Sequence, residues 1–146
     1  MMCALVFLLT QSSWAYFDYQ SSAGEEMNGI KLSQYKDFAQ KWKLVTVRYR
    51  EDTKELRFTY ANTAAAKALG SLTPSYPDGA VFGKVSYQLE TDVVFPSSAV
   101  PTKVKRYQIM VKHRKKYRDS DGWGYALFTD EGKLFNEDVR EKTKAC

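Results

Sequence analysis

The scarcest reactive residues bound the chemistry open to this chain: it has one histidine, His113, and two cysteines, Cys3 and Cys146. A Ser-His-Asp or Cys-His site needs an imidazole beside a nucleophile and an orienting group. His113 instead sits in a run of lysines and arginines, and it reads as a surface side chain. Zinc held by His and Cys is excluded by count, and no glycine-rich phosphate loop is present. What remains is the terminal thiol of Cys146 and rings at alternating positions. Phe82 stands two residues before Lys84, and Trp123, Tyr125 and Phe128 share a later segment. The rings also have an ordinary reading, as the core side of a sheet.

Positioning such groups needs a folded domain, and the composition supplies one. Residues 1–15 are apolar from Ala4 to Leu9, then polar and small up to Ala15, and read as a cleavable secretory signal; a buried N-terminal strand is the alternative. The apolar part is too short to span a bilayer, which takes about 20 residues. After cleavage Cys146 is the one thiol left, so no internal disulfide can form and the core must hold the fold. Residues 16–30, with Ser21, Ser22, Gly24 and Gly29, read as a flexible lead-in, and 31–146 as a single domain.

The net charge of +5 is uneven, because residues 103–118 hold eight lysines or arginines and no acid. These charges alternate with Val104, Tyr107, Ile109 and Val111, as on the solvated face of a strand. Export further argues against nucleic acid as a partner, and a peripheral module binding anionic surfaces is the remaining use for the run.

Hydrophobic periodicity orders the elements. Tyr35, Phe38, Ala39 and Trp42 fall on one face of a helix expected over 31–43, with Ser33 placed to cap it. Leu44–Arg50 and the alternating Leu56, Phe58 and Tyr60 predict a hairpin about the turn 51–54. Asn62 is placed to cap a short helix over 63–69 that Gly70 stops. A turn through Pro77, Asp78 and Gly79 leads to a strand over 80–89, and 90–102, with Pro96 and Pro101, reads as a surface loop. Strands over 104–112 and 123–129 follow, then a helical tail over 137–144 capped by Asn136. The expected fold class is α+β, a mainly antiparallel β sheet with a few short helices packed on it.

Several segments together resemble a known family. They are Tyr-Pro-Asp-Gly-Ala-Val-Phe-Gly-Lys at 76–84, Asp-Gly-Trp-Gly-Tyr-Ala-Leu-Phe at 121–128, Lys-Ala-Cys at 144–146, Trp-Lys-Leu-Val-Thr-Val at 42–47 and the Tyr60-Ala61-Asn62 step. In order and spacing they are similar to the cytochrome P460 family, which includes the β-sheet type of cytochrome c′. The resemblance implies a periplasmic protein, usually a homodimer, carrying one haem c in a pocket of rings and aliphatic groups. It also implies a small nitrogen-oxide ligand, through nitric oxide binding or hydroxylamine oxidation, and an electron-transfer cytochrome as partner.

Residue by residue, Cys146 matches the first thioether cysteine of the family's Cys-x-x-Cys-His, and Lys84 matches the lysine that P460-type members bond to the macrocycle through its neutral amine; an ordinary edge-strand lysine facing water is the alternative. Phe82, Trp123, Tyr125 and Phe128 become candidate pocket lining. The second cysteine and the axial histidine would lie beyond Cys146, so no metal ligand is expected within the chain. The expectation is a fragment of a longer reading frame; a haem-free module that keeps the scaffold and holds a small ligand is the alternative. Gln108 falls where hydroxylamine oxidation wants a carboxylate to take protons, which leans the expectation toward gas binding over turnover.

Overall fold

A computed structural model of the chain describes residues 25–72 and 75–135. Its frame is a five-stranded antiparallel sheet of β3 (Lys43–Arg50), β4 (Glu55–Ala61), β5 (Val81–Thr91), β6 (Ala99–Lys112) and β7 (Trp123–Thr129), joined in chain order. A small hairpin, β1 (Glu26–Met27) and β2 (Ile30–Lys31), precedes it. Between hairpin and sheet lie a 3₁₀ turn, Leu32–Tyr35, and one short helix, α1 (Phe38–Lys41); a second, α2 (Thr63–Ala68), follows β4. The α+β antiparallel architecture expected from the periodicity is the one found.

One face of the sheet carries the main core. Val81 and Val85 of β5, Tyr107 and Ile109 of β6, and Ala126 and Phe128 of β7 are buried there under Ile30, Leu32 and Phe38. Burying side chains of this size is worth about 1.5–3 kcal/mol each, enough to carry a fold without cross-links. Two glycines cut notches in this face. A Cβ on Gly83 would overlap the ring of Phe38, and one on Gly124 would overlap the ring of Tyr117. Tyr117 then donates its hydroxyl to the Asn28 carbonyl at 2.8 Å, tying the β1–β2 turn to the sheet.

Three expectations are corrected. The helix predicted over 31–43 is broken at Lys36 and Asp37, and Ser33 caps nothing; Lys31 and Asp37 hold the two N-cap positions. Tyr35, Phe38, Ala39 and Trp42 still face the core, because two short helical turns place them there as one helix would. Residues 26–30, expected as lead-in, pair as a hairpin whose Ile30 is buried; the glycine that suggested flexibility, Gly29, makes the tight turn at φ 73°.

The loop expected over 90–102 shrinks to 92–98, because β6 starts at Ala99 with Pro101 opposite Leu89. Proline is tolerated there because β7 pairs with β6 only from Arg106 to Lys112, leaving the earlier stretch one unpaired side. The outer parts of β5 and β6 thus form a two-stranded ribbon, with Val93, Val94 and Phe95 exposed at its tip. The signal segment, residues 16–24 of the lead-in, the tail helix and Cys146 lie outside the described residues. Among those described, no helix is long and apolar enough to cross a membrane.

Candidate functional site

The second face of the sheet is open and cups a cleft of about 460 Å³. Strand alternation decides what faces it. In β5, Val81, Gly83 and Val85 point into the core, so Phe82, Lys84 and Ser86 point the other way, each in register with neighbours on β4 and β6. Phe82 lies between Ala61 and Met110, Lys84 between Thr59 and Gln108, and Ser86 between Arg57 and Arg106. Arg48 of β3 extends the last row from beyond Arg57. The cleft therefore changes character along β5 over about 13 Å, four residues at the rise of a strand.

Its apolar end is built of rings. Tyr76 meets Phe82 and Trp123 edge-on, with centroids 5.4 Å apart in each case, and Phe82 lies 6.0 Å from Trp123. Such edge contacts add about 0.5–1.5 kcal/mol beyond the area buried. Lys112 Nζ stands 5.0 Å over the Trp123 ring and donates to the Asp121 carbonyl at 2.5 Å. Tyr125 and Met110, opposite one another on β7 and β6, line the same cleft.

Asn62 sets this end in place. Its Oδ1 accepts from Ala65 N at 2.9 Å, capping α2, and from Val81 N at 3.1 Å, while its Nδ2 donates to the Gly79 carbonyl at 2.9 Å. One side chain so fastens the helix, the turn and the start of β5. The turn is held from its other side by Arg114, whose backbone N donates to Asp78 Oδ1 at 3.0 Å and whose guanidinium donates to the Tyr76 carbonyl at 3.3 Å. Gly79 adopts φ 85°, as the Pro-Asp-Gly turn requires.

The other end is cationic. Arg48, Arg50, Arg57 and Lys84 all line the cleft. Glu55, fully buried, gathers three cations: Arg57 at 2.8 Å and Arg106 at 2.6 Å on Oε2, and Lys105 at 3.0 Å from Oε1. Burial pushes this carboxyl upward, but hydrogen bonds from Arg57 and Lys105 and the charges of Arg106 and Arg57 outweigh that and hold it below the usual carboxylate range. Arg50 pairs with Asp52 at 2.5 Å.

Of the residues singled out in the sequence, Phe82, Lys84, Trp123, Tyr125 and Gln108 line this one cleft together, whereas Phe128 is buried in the core on the other face, where strand alternation from Leu127 turns it. His113 is exposed at the surface, as expected. The run 103–118 is less solvated than its charge suggested, since Lys105 and Arg106 turn in to Glu55 and Lys103 pairs with Asp130 at 3.6 Å. Sequence reasoning missed Tyr76, Met110 and the arginines 48, 50 and 57. The arginines were visible only as the polar half of alternating strands, a pattern that fits a wetted face equally well. Among the described residues no group of three or more His, Cys, Asp or Glu could hold a metal ion.

No curated protein matches the chain. From residue 34 to residue 146, however, the sequence matches the family model for cytochrome P460. That span takes in β3 to β7, the ring cluster and Lys84, and the chain belongs to the cytochrome P460 family.

Proposed function

We infer that the cleft binds one haem c and that the exported, periplasmic protein uses it to bind nitric oxide, with hydroxylamine oxidation as the related activity. Membership of the family implies a haem cofactor. The observation that carries the reading is the meeting of Phe82, Lys84, Gln108, Trp123 and Tyr125, drawn from three strands, around one cleft. The residues fit the group: a macrocycle is flat and largely apolar with a polar edge, and this cleft has ring walls at one end and polar side chains at the other. A bound haem supplies iron as the site for a nitrogen-oxide ligand and as the redox centre.

The chain's own part is to hold and surround it. Tyr76, Phe82 and Trp123 exclude water from the apolar end. Lys84 offers its amine from the cleft floor for the cross-link, a role that needs the neutral form. Cys146 would supply a thioether sulfur to the haem. Among the described residues that line the cleft none is a carboxylate, and Glu55 is committed to its three cations. With Gln108 opposite Lys84, the described lining offers hydroxylamine no carboxylate to take its protons, which favours gas binding.

Two partners belong to the same reading. Leu44, Val47 and Tyr49, each roughly half exposed on the outer strand β3, support a homodimer. The exposed basic residues at 113–116, close to Trp123 through Lys112, support docking of an acidic electron-transfer cytochrome.

A pyridine haemochrome assay tests the reading on protein expressed from its own genomic locus together with the bacterial cytochrome maturation machinery. A haem c spectrum is expected, and colourless protein overturns it. Loss of the red-shifted Soret band in Lys84→Ala is expected if the cross-link forms; an unchanged band removes that role from Lys84.

A further inference from the structure

The cationic end of the cleft is left short of anions by its own fold. Arg48, Arg57 and Arg106 stand in one row across β3, β4 and β6, with Ser86 of β5 between the last two. Like charges directly opposite one another on a sheet destabilise it unless a counter-charge is near. Glu55 answers for Arg57 and Arg106, and Asp52 for Arg50. Arg48 has no hydrogen-bond or ion-pair partner among the described residues, although it lies directly opposite Arg57 and lines the cleft. Ser86 Oγ, in the same row, is buried and also lacks a partner.

We propose that Arg48, backed by Arg57, is the subsite for the carboxylates of the planar ligand, so that the cleft takes an amphipathic ring bearing acidic side chains. This rests on the haem reading and adds which end of the ligand each end of the cleft selects. Guanidinium groups suit the task because they present paired N–H donors that match a carboxylate and remain charged at any working pH. Glu55 contributes by fixing Arg57: a guanidinium already held by a buried carboxylate loses less freedom when a second anion arrives. The ring wall of Tyr76, Phe82 and Trp123 lies at the opposite end of the same strand faces, so a ligand with acids at both ends, or with none, fits less well.

The test is metal-free protoporphyrin IX against its dimethyl ester, titrated into the full chain produced without haem maturation and followed by quenching of tryptophan fluorescence. The free diacid is expected to bind roughly tenfold or more tightly than the ester, the gain of one charge-assisted pair. Rising salt should weaken the diacid and leave the ester unchanged. Arg48→Gln is expected to bring the two affinities to within about twofold of each other, since only the charge is removed. Arg48 is exposed on an outer strand, so this variant should retain the fold; comparing diacid with ester on unaltered protein tests the subsite without any substitution. Equal binding of diacid and ester overturns the arginine subsite while leaving the haem reading intact. Binding of neither overturns both.

Discussion

Phe38 rests its ring on the bare backbone of Gly83, in a notch that any other residue would fill. The contact joins the short helix α1 to the central strand of the sheet, on the face opposite Lys84.

Gly83→Ala should therefore destabilise the protein by about 2 kcal/mol, the usual cost of forcing a methyl group into a packed core. The loss should largely vanish when Phe38→Ala is already present, because the added methyl then meets empty space. A double-mutant cycle by urea denaturation measures this coupling, and two additive penalties would show that the notch does not matter.

Glu55 offers a test of charge. Glu55→Gln leaves Arg57, Arg106 and Lys105 without their shared buried anion and should cost about 3 kcal/mol. The carboxyl is held below its ordinary value of 4.5 in the fold. A group depressed in this way stabilises the folded state above its unfolded pKa and loses that contribution as pH falls through its folded pKa. The stability gap between wild type and Glu55→Gln should thus be full near neutral pH and narrow progressively below about pH 4.5. Urea midpoints at stepped pH decide it; a gap independent of pH would show that Glu55 acts by shape alone.

Asn62→Ala should cost about 2 kcal/mol, the upper range for a helix cap, because the same side chain also binds Val81 and Gly79. The ring end of the cleft should loosen with it, seen as faster acrylamide quenching of Trp123 in a background carrying both Trp14→Phe and Trp42→Phe. Asn62→Asp keeps the two accepted bonds and loses only the donor to Gly79, so it should recover more than half of the stability.

Much of this molecule was legible from alternation. The sheet from Leu44 onward, the capping by Asn62 and the opposed facing of Phe82 and Gly83 all follow from residue type and period, and they agree with the strands found. The break at Lys36 and Asp37 was not legible, because a helical period survives two short turns as well as one continuous helix. Pro101 read as a loop residue, since nothing local reveals that one side of β6 lacks a neighbour there. The cationic end of the cleft was hidden for a similar reason. Which side of the sheet is covered is set by α1 packing on β4 and β5 and by the β1–β2 hairpin packing on β7, contacts that a window of ten residues does not span.

The first six residues of β5 divide by parity: odd positions from Val81 to Val85 fill the core, while Phe82 and Lys84 line the cleft and Ser86 lies between Arg57 and Arg106. Ligand preference can therefore drift by exchange at even positions with little risk to folding. Loss of a single codon here would swap the two inventories, sending an amine and a phenyl ring inward and three small residues outward. Descendants of this strand should vary in letters and never in length.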